Sequence, residues 1–485
     1  MRYDAIIIGS GAGGSAAAYH LTQTGKRVLL LERGLPLPKD GSTLDVGKVM
    51  RRGEFLADEA WTDRKGRVVV PEEHFNLGGK TRWYGAALLR MSPEEFDSDA
   101  GHQCYGWPIR YQDIEPFYLE AENLLRVQIF PVEADFARLA AGLRRRDPDW
   151  QSHPLQVGLS RDILSVPAEA SRFDAFASPR GLKSDAESAF LDRVRAKPNL
   201  EIAIGKTVRM LLADRDPAKI AGVLCEDGTR YEADVVLLAA GALHSPRLLQ
   251  AYLESTGLAQ RLPAFQQVGR NYKFHVLTAM LALSHREVRD VLCKTALLLS
   301  DKFAHSSVQT LGGSLAEYII ATRFPEWFPQ ELIRPVGRRV YGLFLQTEDG
   351  SHPDNRVVTR KGERPLLDYD IDRLPAARDE HRALVATLRR QLLGMGYIAF
   401  SQAIPLTGTA HACGTLIAGH SARASVVGPD GRVHGMDNLF VVDGSVLPRS
   451  SRVNPALTIY AWALRVAHGL SASRATPRSQ LATAS

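Results

Sequence analysis

At 485 residues the chain is longer than one hydrophobic core usually sustains, so two domains are expected. Its 45% hydrophobic and 24% charged content is that of an ordinary globular protein, which excludes a collagen-like, low-complexity or disordered chain. The net charge of +6 is dispersed among neighbouring acids, and the run Arg144 to Arg146 reads as a solvated helix face, so no nucleic-acid partner is expected. Cys104, Cys225, Cys293 and Cys413 form no CxxC pair and have no regular spacing, which indicates neither a metal site nor a disulfide framework.

The first element begins directly after Met1 and leaves no room for a signal peptide, and no apolar run is long enough to span a bilayer. A cytoplasmic protein without a membrane span is therefore expected, export with a partner subunit aside. Ala5 to Ile8 reads as a buried parallel strand, followed by Gly9, Gly11 and Gly14 at the GxGxxG spacing and a helix through Leu21. The first glycine permits a tight turn, the second lets backbone approach a pyrophosphate, and the third lets helix and strand pack closely. The helix start, from Ala12, offers free N–H groups and a partial positive charge to phosphates. A second strand, Val28 to Leu31, ends in Glu32, placed to accept hydrogen bonds from a ribose. Together these read as a dinucleotide site.

Residues 116 to 195 are charged and interrupted by proline, with no nucleotide signature. From Glu201 the pattern alternates as strands do, with an Asp-Gly turn at Asp227 and Gly228, and Val235 to Ala239, Gly241 and HSPRLLQAYL read as strand, turn and helix. Residues 272 to 405 carry alternating apolar runs such as YGLFLQTE, a helix from Ala377 to Met395, and an aromatic cluster, Arg323 to Gln330, that reads as core or partner interface. The last 70 or so residues return to the nucleotide pattern, and the Ser/Ala/Thr/Arg-rich tail from residue 471 reads as disordered.

Four stretches taken jointly resemble the glucose-methanol-choline oxidoreductases: GSGAGG at the N-terminus, NLGGKTRWYGA at Asn76 to Ala86, VVLLAAGALHSPRLLQ at Val235 to Gln250, and the block from His411 through VVDGSVLP and VNPALTI. The resemblance implies an α/β fold: a discontinuous Rossmann-like FAD-binding domain (1–115, 196–271, 406–470) and a substrate domain on an antiparallel sheet flanked by helices (116–195, 272–405). It implies oxidation of a primary or secondary alcohol to a carbonyl, the hydride passing to the flavin N5 and then to oxygen, a quinone or a redox partner protein. His411, in HACGT, stands where the family has its base, and Asn454, in VNPALTI, where it has the partner that holds the alkoxide; Asn454 also suits a helix N-cap.

Further cofactor contacts implied by the resemblance are Gly78, Gly79 and Thr81 in the loop after Asn76, Val208 beside the adenine, Asp443 and Gly444 at the pyrophosphate and ribityl region, and Asn454, Pro455 and Thr458 at the isoalloxazine. Val208 also suits plain core and Asp443 a turn. Where some members attach the flavin through a His, this chain reads Lys80, Thr81, Arg82, Trp83, so non-covalent FAD is expected. The stretch after HACGT reads Leu416, Ile417, Ala418, Gly419 instead of the common Arg-Met-Gly, which implies a more apolar setting for the base, with Cys413 as filling. Two alternatives share the fold: a lyase that cleaves cyanohydrins, and a subunit without turnover, against which the His411 and Asn454 pair speaks.

Overall fold

The computed structural model describes residues 2–313, 322–325 and 327–472. Apolar runs, fully buried in the central strands, build a parallel sheet in the order Leu200–Ile204, Val28–Glu32, Arg2–Ile8, Arg230–Leu238, Leu439–Val441. The antiparallel strands Val208–Ala213 and Ile220–Cys225 join it through the N-terminal half of Arg230–Leu238. Gly228, at φ +83°, supplies the turn expected of Asp-Gly. Helix Ala12–Gln23 packs between this sheet and the C-terminal helix Ala456–Ala472.

The second sheet is antiparallel, in the order Ile398–Ala403, Val276–Leu283, Val340–Thr347, Ser306–Thr310, Ala296–Leu299, Gln151–Pro154. Side-chain alternation splits its two faces. Met280, Ala282, Leu343 and Leu345 pack against helices Ala134–Arg146 and Pro375–Gly394, while Ala279, Leu281 and Phe344 face a cavity shared with the first sheet. Arg144 to Arg146 end the first of these helices as an exposed basic last turn, favourable to the helix dipole.

Two expectations are narrowed by the packing. A boundary at 115 cuts the helix Tyr111–Leu124, whose Ile114, Tyr118 and Ala121 belong to the core of the first sheet together with Ala186, Phe190 and Leu191. Its apolar stripe is interrupted by Pro116 and by acids, which hid the period that marks it as part of that core. In the aromatic cluster Trp327 is 80% exposed, so of the two readings core does not hold for it, and Arg323 reaches the cavity wall. The expected disordered tail lies, from residue 473, outside the described residues.

Candidate active site

The cavity, about 1410 Å³, runs from the carboxyl ends of the parallel strands to the antiparallel sheet, the place where open α/β sheets take ligands. Gly9, at φ +103°, turns the chain where any Cβ would strike the Ala239 carbonyl, and a Cβ on Gly14 would lie 1.9 Å from the Gly9 carbonyl oxygen. Both are packing glycines, as is Gly13, whose Cβ would sit 1.7 Å from the Val442 oxygen. Gly11 differs: a Cβ there meets nothing within 4 Å, because Gly11, Ala12 and Gly13 form the cavity wall at the helix N-terminus. A cradle of bare backbone beside a helix start, in a cavity that runs on to His411 and Asn454, fits the phosphates and length of a dinucleotide.

Glu32 is buried on that wall and takes hydrogen bonds from Ser10 N (3.0 Å), Ser10 Oγ (2.5 Å) and Gly34 N (2.7 Å), while burial pushes its carboxyl up. Ser10 is the residue that sequence reasoning passed over: its Oγ also accepts from Gly78 N at 2.9 Å and so fastens the second glycine loop to the first. In that loop Gly79 lines the cavity beside Gly11, whereas Gly78 stands behind it at φ +86°. Thr81 also lines it, its Oγ1 donating to the Gly78 carbonyl (2.7 Å) and accepting from Ala186 N (3.0 Å). Trp83 donates to Asn76 Oδ1 at 2.9 Å and stacks on His74.

Val208 and Gly444 lie on the wall, as does Asp443, whose carboxylate is occupied by Gly241 N and Ser445 N, both at 2.9 Å, and by the hydroxyls of Ser245 and Ser445. Asp443 thus ties two strand ends together. Pro455, Ala456 and Ile459 present one face of the C-terminal helix to the cavity. Thr458 does not: it points to the opposite side, where its Oγ1 bonds to Tyr118 Oη at 2.7 Å.

His411 and Asn454 meet on the cavity wall. Asn454 Nδ2 lies 3.3 Å from His411 Nε2, and Asn454 Oδ1 accepts from Gln309 Nε2 of the antiparallel sheet. The amide therefore faces His411, not the helix behind it. The Ser306–Thr310 and Val340–Thr347 strands grip the same loop, Ser307 Oγ and Gln346 Nε2 both donating to the Arg452 carbonyl. An isolated antiparallel bridge between Lys273 and Cys413 sets His275 opposite His411, with their Nδ1 atoms 3.1 Å apart. Burial, then His275, Lys294 and Lys80, hold the His411 imidazole well below its ordinary pKa, so it is neutral at neutral pH. Cys413, Leu416 and Ile417 behind it are buried, and His420 is exposed.

Residues 3–277 match the N-terminal GMC oxidoreductase family profile and residues 359–463 the C-terminal one. The chain belongs to the GMC oxidoreductase family. Across 98% of this chain and 93% of the relative it is 28% identical to the 6'''-hydroxyparomomycin C oxidase of Streptomyces lividus. With the paromamine 6'-oxidase of Streptomyces fradiae it shares 29% over 96% of this chain and 90% of the relative. Its fold is similar to a formate oxidase from Aspergillus oryzae, with a TM-score of 0.69 at 15% identity over 98% of this chain and 99% of that one. This GMC oxidoreductase uses FAD and oxidises CH–OH groups of small-molecule alcohols. Among the described residues no helix is long and apolar enough to cross a membrane.

Proposed function

We propose that His411 is the base and Asn454 the alkoxide-holding residue of this alcohol oxidation. The observation that carries it is the 3.3 Å pairing of His411 Nε2 with an amide N–H donor in the cavity that the glycine loops and the antiparallel sheet also line. Gly11, Ala12 and Gly79 would hold the FAD pyrophosphate region, Glu32 a ribose, Val208 the adenine, and Thr81, Gly444 and Pro455 the ribityl and ring end. With Trp83 committed to Asn76 and His74, attachment is non-covalent. Bound FAD supplies the two-electron acceptor for the hydride. His411 Nε2, neutral and lined up at the cavity, takes the hydroxyl proton as the O–H bond breaks. Asn454 Nδ2 donates to the oxygen as negative charge develops there, and Gln309 fixes that amide by holding its carbonyl end.

The cavity pairs an apolar wall, Leu281 and Phe344, with the ion pairs Lys294–Asp174 (2.8 Å) and Lys80–Glu73, which suits a ring-bearing alcohol with polar substituents. Paromamine and pyridoxine, after which two relatives are named, are the first probes. The electrons pass on to oxygen, a quinone or a redox protein, and the four free cysteines are in keeping with a reducing, cytoplasmic setting. Anaerobic mixing of the holoenzyme with these alcohols should bleach the flavin absorbance, and air or a quinone should restore it. His411→Ala should keep FAD and lose bleaching; bleaching at the native rate in that variant would refute the base assignment. An unbleached native flavin in the presence of a cyanohydrin that is being cleaved would move the assignment to the lyase.

A further inference from the structure

His275 contacts neither cavity nor glycine loop, yet its surroundings decide which nitrogen of His411 is free. Its ring is fully buried and its backbone sits at φ +69°, in the left-handed region, where Phe274 N and His275 N both donate to the Asp349 carboxylate. His275 Nε2 lies 2.7 Å from the Ser451 carbonyl oxygen. A carbonyl only accepts, so Nε2 carries a hydrogen and, in the neutral ring, Nδ1 does not. That bare Nδ1 is 3.1 Å from His411 Nδ1, and the contact needs one proton between the two nitrogens. The proton therefore belongs to His411 Nδ1, which leaves His411 Nε2 as a lone pair facing Asn454. Flipping the amides of Asn454 and Gln309 together would instead ask for a hydrogen on Nε2. Two bare Nδ1 atoms would then face each other, so the Ser451 carbonyl rules that arrangement out.

The carbonyl is itself held. Ser451, at φ +70°, donates its N–H to Glu348 Oε1 (2.8 Å) and its Oγ to Glu95 Oε1 (2.6 Å). Arg449 pairs with Glu348 through two hydrogen bonds of 2.8 and 2.6 Å. We infer that His275 is a positioning residue that fixes the Nδ1–H tautomer of His411 and so makes Nε2 the proton acceptor. After the substrate's O–H proton has moved to Nε2, the imidazolium still donates from Nδ1 to His275, whose own ring feels the carboxylates of Asp349, Glu348 and Glu95. Lys294 and Lys80 act on His411 from the cavity side with the opposite sign. The inference rests on the reading of His411 as the base.

The test combines tautomer and rate. In holoenzyme labelled with ¹⁵N-histidine, the resonance lost on His411→Ala should show a protonated Nδ1 and a bare Nε2. A bare Nδ1 on His411 overturns the inference while leaving the base assignment, which falls only if His411→Ala still bleaches. His275→Leu removes the acceptor and should slow flavin reduction by about tenfold or more, with KM and FAD content held and mixed tautomers at His411. His275→Asn, which tolerates the left-handed backbone and offers Oδ1 near the position of Nδ1, should restore the rate and the native tautomer. A His275→Leu enzyme with native rate and tautomer overturns the role, as does an Asn variant no better than Leu. Should both variants lose FAD, the native tautomer still decides.

Discussion

Replacing Asn454 by Asp keeps the size of the side chain and reverses what His411 faces. At the native separation of 3.3 Å, a carboxylate would interact with a protonated His411 by about 5 kcal/mol at an effective dielectric near 20. At about 1.36 kcal/mol per pK unit that is an upward shift of between roughly three and four units, which carries His411 from well below its ordinary value back towards it. The native base, neutral throughout, should give a rate of flavin reduction that is flat above about pH 6.5. The Asn454→Asp rate should instead climb with pH through the raised pKa. On the plateau it should remain lower by roughly 10²-fold or more, since a donor to the alkoxide has become a like charge. Asn454→Ala separates the two effects: the donor is lost, and the profile stays flat. Stopped-flow reduction under anaerobic conditions, run across pH on all three proteins, measures both quantities. A flat Asn454→Asp profile at the native rate would refute the placement of Asn454 against the base.

Gly11→Ala and Gly13→Ala test the cradle from its two sides. The Gly11 Cβ enters open cavity and the Gly13 Cβ strikes the Val442 carbonyl, so the first should weaken FAD binding tenfold or more at unchanged apoprotein stability, and the second should lower Tm whether or not FAD is present. Equal behaviour of the two would mean that the cofactor does not lie along Gly11. His381 lies between Thr278 Oγ1 and Thr347 Oγ1, each 2.8 Å away, and burial pushes it from 6.5 down to about 4. The unfolded chain binds this proton below about pH 6.5 and the folded one does not until about pH 4, so stability falls as pH drops through that window. Between pH 7 and pH 5 the loss is about 2 kcal/mol. Denaturant midpoints at the two pH values should show His381→Gln losing correspondingly less; an unchanged difference would discount the residue.

How far the sequence carried the reading depends on the kind of contact. Gly9, Gly11 and Glu32 were legible because each lies within a few residues of a strand end, and local chemistry dictates what a strand end before a helix must be. The hairpin at Asp227 and Gly228 was legible for the same reason. The contact of His275 with His411 was not: it spans 136 residues through a single antiparallel bridge, and only the pairing of Lys273 with Cys413 aligns them. The left-handed backbone of His275 is equally silent in the sequence, because His carries no signal of the kind that glycine does. Thr458 was misread on the same ground, since one helix position decides between cavity and Tyr118.

The two walls of the cavity follow different rules. On the cofactor side, Gly9, Glu32, Ala239 and Asp443 all stand at or just past the carboxyl ends of strands that run parallel, so calling the strands parallel already brings these residues to one edge. On the other side the strands are antiparallel, and a shift of one residue in register would turn Leu281 and Phe344 into the helix-packed core and Met280 and Leu343 into the cavity. The register is held by the hydrophobic face beneath the helices, which leaves the identity of the cavity-facing residues free of the fold's demands. Substrate choice is therefore open to change at Ala279, Leu281 and Phe344 with the glycine cradle and the His411–Asn454 pair untouched. Leu281→Ser or Phe344→Leu should move kcat/KM between alcohols while FAD content and Tm stay near native; a loss of FAD in either would show that the two walls are coupled.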